Sequence, residues 1–159
     1  MTPTATFKVA GVPDAVAEAR AAVTRAAADQ IAGGILDTTC LLVSELVTNG
    51  ILHGAPGEPI EISLTCESSG LRVEVKNRGK GFVPNPGATA PDEGGGFGLY
   101  LVERLADRWG VSRDGCTRVW FELENPSVDE PVAPQRARRF SADAVLPNRP
   151  AQRAESLSR

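Results

Sequence analysis

Apolar positions recur along the first 124 residues in two rhythms, one of period two and one near 3.6, and then stop recurring. Residues 5–10 (ATFKVA) alternate and predict an opening strand, after which Val12-Pro13-Asp14 supplies a turn and a carboxylate able to cap a helix. From Asp14 to about Ile31, small apolar residues at Val16, Ala19, Val23 and Ala26 form a helical stripe that Gly33-Gly34 closes. A second helix is expected from Asp37, its N-cap, to Gly54, where the chain would turn through a left-handed conformation. Its core face reads Val43, Leu46, Val47, Gly50 and Ile51, while Glu45, Asn49 and His53 form a separate stripe at i, i+4, i+8.

Two alternating segments follow, EPIEISLTCE and LRVEVKN, joined by Ser68-Ser69-Gly70, and predict a hairpin with one buried and one solvated face. Residues 83–95 (VPNPGATAPDEGG) contain three prolines and read as a long loop, a length that in a compact domain calls for a functional reason. FGLYLVERLADRWG predicts a third helix, with Leu99, Val102, Leu105, Ala106 and Trp109 on one side and Gly110 as its stop. Short strands near VSR and TRVWFEL flank a turn at Asp114-Gly115. From Asn125 to Arg159 the periodicity is lost and five prolines and six arginines accumulate, which predicts a disordered tail after a domain of residues 1–124. Within it, RARRF followed by Ser141 reads as a solvated charge run rather than a docking or phosphorylation segment.

Composition narrows the possibilities. At 159 residues, 42% hydrophobic and 23% charged, the chain fits one globular domain with a sizeable core. A net charge of -3 argues against direct nucleic-acid binding, which depends on clustered basic residues. Cys40, Cys66 and Cys116 are odd in number and lack metal-ligand spacing, so they are expected to be reduced and structural. The N-terminus has no signal-peptide pattern and no stretch is expected to approach the 18 or so apolar residues of a membrane span; the expected compartment is the cytoplasm.

Three features carry candidate chemistry. Spacing of i, i+4 puts Glu45 and Asn49 on one side of a helix, where the amide oxygen of Asn49 suits magnesium and Glu45 can accept a proton from an attacking hydroxyl. NRGKGF, residues 77–82, follows a strand, and Gly79 and Gly81 let backbone approach a ligand closely. GGGFGLY, residues 94–100, leads glycines straight into a helix, whose unpaired N–H groups and dipole favour an anion. Each alone has an ordinary reading: a solvated helix face, a turn, a helix entrance.

Their order and spacing resemble the N box and two glycine boxes of the GHKL ATPase superfamily, over roughly residues 5–123. ELVTNGILHG and GFGLYLVERLAD are especially similar to the anti-sigma serine kinase versions of these boxes. The resemblance implies a Bergerat ATP-binding fold, an α/β (α+β) two-layer sandwich with a mixed, mostly antiparallel sheet covered on one face by three helices. It further implies Glu45 as general base, Asn49 as magnesium ligand, Gly96, Gly98 and Leu99 as the phosphate cradle, and Thr117 beside the nucleotide. His53, the sole histidine, is assigned to capping or packing. One departure stands out: the family usually has aspartate at the position of Asn77, where it receives the exocyclic amine of adenine. Asparagine can still accept from that amine, so ATP binding is expected to weaken by about 1 kcal/mol, or roughly fivefold, rather than vanish.

The function this resemblance implies is an anti-sigma factor that sequesters a sigma factor and uses Mg-ATP to phosphorylate a serine of an anti-sigma antagonist. A homodimer would match the habit of related kinases. Larger GHKL machines need additional domains, and a sensor kinase needs an upstream histidine helix for which the 13 residues before the first predicted helix leave no room. The alternatives are a partner-binding module of the same fold with weak or lost ATP binding, and a bare ATP hydrolase or small-molecule enzyme.

Overall fold

The computed structural model describes residues 5–79 and 97–125. The long loop and the C-terminal segment of the sequence reading, 83–95 and 126–159, lie outside these. The chain runs through β1 (Ala5–Val9), α1 (Ala15–Ala27), α2 (Gly33–His53), β2 (Ile60–Glu67), β3 (Gly70–Asn77), α3 (Phe97–Leu105), β4 (Arg108–Arg113) and β5 (Thr117–Glu124). The strands form one open sheet in the order β1-β2-β3-β5-β4. Every pairing among them is antiparallel. Together with the three helices this is the α+β two-layer architecture expected of a GHKL ATPase, except that among the described residues the sheet is wholly antiparallel rather than mixed.

Strict alternation on β2, β3 and β5 sends Ile60, Ile62, Leu64, Leu71, Val73, Val75, Val119, Phe121 and Leu123 to one face, where all are buried. Across it lie Ala19 and Val23 of α1, Leu42, Val43, Leu46 and Val47 of α2, and Val102 of α3, in a single core. The opposite face is polar. Glu61 bridges Lys8 and Lys76 at 3.5 and 3.8 Å, Glu74 meets Arg118 at 3.0 Å, and Glu122 meets Arg72 and Arg108 at 2.7 and 2.8 Å. These cross-strand pairs let a sheet with charged residues on every strand keep one side in water.

Several element ends differ from the sequence expectations, each for a local reason. Asp14 occupies the N-cap of α1 without a side-chain cap bond, because backbone closes that turn, with Ala15 N donating to Val12 O at 2.9 Å. The helix stops at Ala27 rather than Ile31, which instead buries itself after a turn closed by Gln30 N to Ala27 O. α2 begins at Gly33, so Gly33-Gly34 start a helix instead of ending one and Asp37 lies inside it. Packing explains the early start: Ile35 and Leu36 rest against the core. Gly54 is extended, at φ -80° and ψ -178°, not left-handed.

At the third helix the periodicity overruns the element by about one turn. α3 ends at Leu105, and Trp109 and Gly110 belong to β4, opposite Phe121 and Trp120. Asp107 makes the switch, its N–H donating to Glu122 O at 2.9 Å and its carboxylate accepting from Glu124 N–H at 2.8 Å, which draws the chain into the sheet. Trp109 is still buried, but as a sheet residue. Finally, α2 is long and apolar enough by length and composition to cross a membrane, contrary to the sequence expectation. Its apolar face is the one that roofs the sheet.

Candidate functional site

The site is built where the second half of α2 crosses the ends of β3 and β5. Rotation of α2 toward the sheet carries Asn49 to the margin of the core at 7% exposure, and leaves Glu45 and His53 half-buried on the same stripe. Taking a carboxamide out of water costs free energy unless its hydrogen-bonding groups are met, so a buried asparagine beside an apolar face points to a specific task.

β3 and β5 supply two more such groups. On their core face the cross-strand pairs are Leu71 with Leu123, Val73 with Phe121, Val75 with Val119 and, last, Asn77 with Thr117. The first three are apolar; the fourth is polar, yet Asn77 and Thr117 are as enclosed as their neighbours, at 9% and 2% exposure. Among the described residues the buried polar side chains are Thr39, Asn49, Asn77 and Thr117. Thr39 satisfies itself locally, donating to Ile35 O of its own helix at 2.7 Å. Of the remaining three, Asn77 and Thr117 pair at one end of the sheet and Asn49 lies on α2, which packs against the same strands.

Glycines bring α2 down onto this cluster. A Cβ at Gly50 would lie 2.9 Å from Ile60 Cδ1 and 3.8 Å from Asn77 Cβ, and one at Gly54 would lie 2.9 Å from Asn77 Nδ2. Gly79, two residues past Asn77, has φ +134° and no room for a side chain, since its Cβ would stand 2.6 Å from Ala55 N. Left-handed backbone and close approach together require glycine there. Ala55 N donates to Arg78 O at 2.6 Å, fastening the end of α2 to the glycine turn. The sequence reading assigned Gly50 to packing and Gly54 to a helix stop, and so missed their contact with Asn77. The available signal was a glycine inside a helix, which costs about 1 kcal/mol against alanine and therefore asks for a packing reason.

α3 closes the group from the other side, packed against α2. Gly98 is its second residue, and Leu99 is partly buried against the core. Gly81 lies outside the described residues, as does Gly96 of the expected phosphate cradle. What is brought together is Asn77 and Thr117, with Gly79 two residues beyond; Asn49 precedes Gly50, whose Cβ would stand 3.8 Å from Asn77 Cβ, and Glu45 is one turn before Asn49. Among the described residues no three His, Cys, Asp or Glu side chains gather as a metal cage. Magnesium does not need one, because it retains several waters and takes few protein oxygens.

The model of the histidine kinase-like ATPase domain matches residues 9–123, from the end of β1 to the end of β5. The chain belongs to the histidine kinase-like ATPase domain family. The structure of the RsbU and RsbW domains of Rv1364c from Mycobacterium tuberculosis is similar in fold, with a TM-score of 0.55 and 18% identity over 89% of this chain. This chain covers 35% of that one. The comparison with curated proteins gives no match.

For a histidine kinase-like ATPase domain the donor set fits a nucleotide. A buried carboxamide and hydroxyl, Asn77 and Thr117, can read polar edges of a base. A helix carboxamide and carboxylate, Asn49 and Glu45, suit a hydrated cation and a proton.

Proposed function

We propose that this histidine kinase-like ATPase domain binds Mg-ATP between α2 and α3 and acts as an anti-sigma protein serine kinase, sequestering a sigma factor and phosphorylating a serine of an anti-sigma antagonist. The observation that carries the reading is the enclosed polar pair Asn77 and Thr117 at the end of an otherwise apolar sheet face, with a third buried polar side chain, Asn49, on the helix packed against β3 and β5. The similarity of ELVTNGILHG and GFGLYLVERLAD to anti-sigma kinase boxes supports the finer assignment.

In this reading Asn77 and Thr117 hold the adenine end, with Gly79 and Gly81 keeping the turn free of side chains. Gly96, Gly98 and Leu99 at the α3 entrance receive the phosphates, and the oxygen of Asn49 ligates magnesium. Bound magnesium supplies neutralisation of phosphate charge. Glu45 takes the proton of the attacking serine hydroxyl as the oxygen adds to the terminal phosphorus and ADP leaves. Phosphoryl transfer needs little covalent help, so most of the rate comes from positioning and fixed charge.

Calorimetry with Mg-ATP tests the nucleotide, and transfer of labelled phosphate to a candidate antagonist tests the chemistry. Glu45→Ala should retain ATP binding and lose transfer by about 100-fold or more, the usual contribution of a general base. Undiminished transfer removes Glu45 from that role. Absence of heat with Mg-ATP leaves the fold as a partner-binding module.

A further inference from the structure

The lysines and arginines of the sheet fall into two groups. Lys8, Arg72, Lys76, Arg108 and Arg118 stand on the outer face, and each lies within 3.8 Å of a glutamate carboxylate. Arg113, the last residue of β4, is on the inner face. Register pairs Trp109 with Phe121, Val111 with Val119 and Arg113 with Thr117, and Trp109 and Phe121 are buried in the core. Among the described residues the Arg113 guanidinium forms no ion pair. Its Nε and Nη2 each expose less than 1 Å² and make no hydrogen bond. Arg118 Nε also lacks a directed bond, but Glu74 stands 3.0 Å from it.

Nε–H and Nη2–H point the same way and make up the side-on fork with which arginine holds two oxygens of one oxyanion. A guanidinium stays protonated, so it cannot escape desolvation by becoming neutral. Enclosing that fork without an anion costs free energy that nothing in the described chain offsets. Position gives the class of anion. Arg113 extends the row of Asn77 and Thr117 by one strand, since β3, β5 and β4 are neighbours and the three residues are in register. β4 is joined to α3 by Ala106 and Asp107 alone and packs against it, so its last residue returns to the end of the sheet where α3 begins. The nucleotide reading assigns the phosphates to that end.

We propose that Arg113 is the charge that reads the phosphoryl part of the ligand, its fork left without a protein anion so that a phosphate oxyanion completes it. The base attached to that phosphate rests on the nucleotide reading above; the anion does not. As a residue Arg113 is only half-buried, so rotation of its long side chain brings the fork to an entering anion. It is then a specificity residue outside the glycine boxes, separating phosphorylated from unphosphorylated ligands at the expense of folding stability.

Two variants of the full chain test this. Arg113→Met keeps the length and removes the charge, and Arg113→Lys keeps the charge and removes the fork. Without ligand, Arg113→Met should unfold about 3 °C or more above the wild type, because an uncompensated enclosed charge is gone. An unchanged or lower midpoint, or a variant that does not fold, overturns the proposal, since the protein itself would then be holding the guanidinium. By calorimetry, Arg113→Met should lose about tenfold or more in affinity for Mg-ATP, with Arg113→Lys between it and the wild type. No loss for Mg-ATP, or an equal loss for adenosine, overturns the phosphate assignment. Inorganic tripolyphosphate, which carries the anion and no base, should raise the unfolding midpoint of the wild type but not of Arg113→Met at matched ionic strength. No shift in the wild type, or an equal one in the variant, also overturns it. If Mg-ATP gives no heat with the wild type, the nucleotide reading fails by itself, and the tripolyphosphate measurement decides whether Arg113 holds phosphate.

Discussion

Along β3 and β5 the same face of the same two strands is used in two ways. Val73 and Phe121 form a cross-strand pair with no exposure at all, and four residues further on Asn77 and Thr117 form another that is nearly as enclosed. Strand geometry and register are shared; only the side chains differ. The apolar pair lowers the free energy of the fold by leaving water. The polar pair forgoes that gain, and beside it α2 carries Gly54, where a Cβ would stand 2.9 Å from Asn77 Nδ2. Stability therefore resides at the Leu71–Val75 end of the hairpin, and recognition at the Asn77 end.

That division is broken most directly at Phe121. Phe121→Ala should cost about 3–5 kcal/mol in denaturant or thermal unfolding, the range for deleting a buried ring with little room to collapse. A loss below about 1 kcal/mol would mean that this pair does not hold the sheet. Gly79→Ala should come next. At φ +134°, with 2.6 Å between its Cβ and Ala55 N, an alanine strains the backbone and pushes the helix end away, at a cost of about 1–3 kcal/mol. Unlike Phe121→Ala it should also impair Mg-ATP binding in protein that remains folded, because the turn it deforms follows Asn77 directly. Undisturbed binding would separate the glycine turn from the site.

The two regions were unequally legible in the sequence. Alternation alone identified the β2–β3 hairpin and the final strand, because a half-buried antiparallel sheet writes its faces into every second residue. Val43, Leu46 and Val47 were legible on α2 for the corresponding reason at helical period. Trp109 was not, since a buried aromatic suits a helix stripe and a strand equally, and only the pull of Asp107 on the backbone of β5 separates them. For the proposed site, spacing points to Glu45 and Asn49, and the glycine boxes point to Asn77 and Gly79. The sequence could not convey how closely the end of α2 approaches Asn77, where a Cβ on Gly54 would stand 2.9 Å from its Nδ2. Backbone groups leave no mark in the sequence.

Thr117→Val sharpens the comparison by converting half of the polar pair to its apolar form at nearly constant volume. Thr117 is 2% exposed at the start of a strand, where valine is equally at home, so unfolding stability should change by less than about 1 kcal/mol. Affinity for Mg-ATP should fall about fivefold to tenfold, the worth of one hydrogen bond of 1–1.4 kcal/mol. A loss of stability with unchanged affinity would return Thr117 to a purely structural role.

The smallest expected effects lie on the other face of the same strands, where Glu122 serves two arginines. Arg72 donates to Glu122 Oε1 at 2.7 Å and sets its guanidinium 3.9 Å from the ring centroid of Trp120, so it combines an ion pair, a directed hydrogen bond and a stacked contact. Arg108 comes as near, at 2.8 Å from Oε2, but Oε2 receives no directed hydrogen bond, and the arginine is 58% exposed. Exposed pairs contribute about 0.2–1 kcal/mol, and salt weakens them further. Arg108→Ala should therefore cost no more than about 0.5 kcal/mol and Arg72→Ala about 1 kcal/mol, the latter surviving added salt through its contact with Trp120. Unfolding of both variants and of each with Glu122→Gln, at low and at high salt, measures the two couplings. An equal cost for the two arginines would mean that distance alone, and neither direction nor stacking, sets the worth of the pairs on this face.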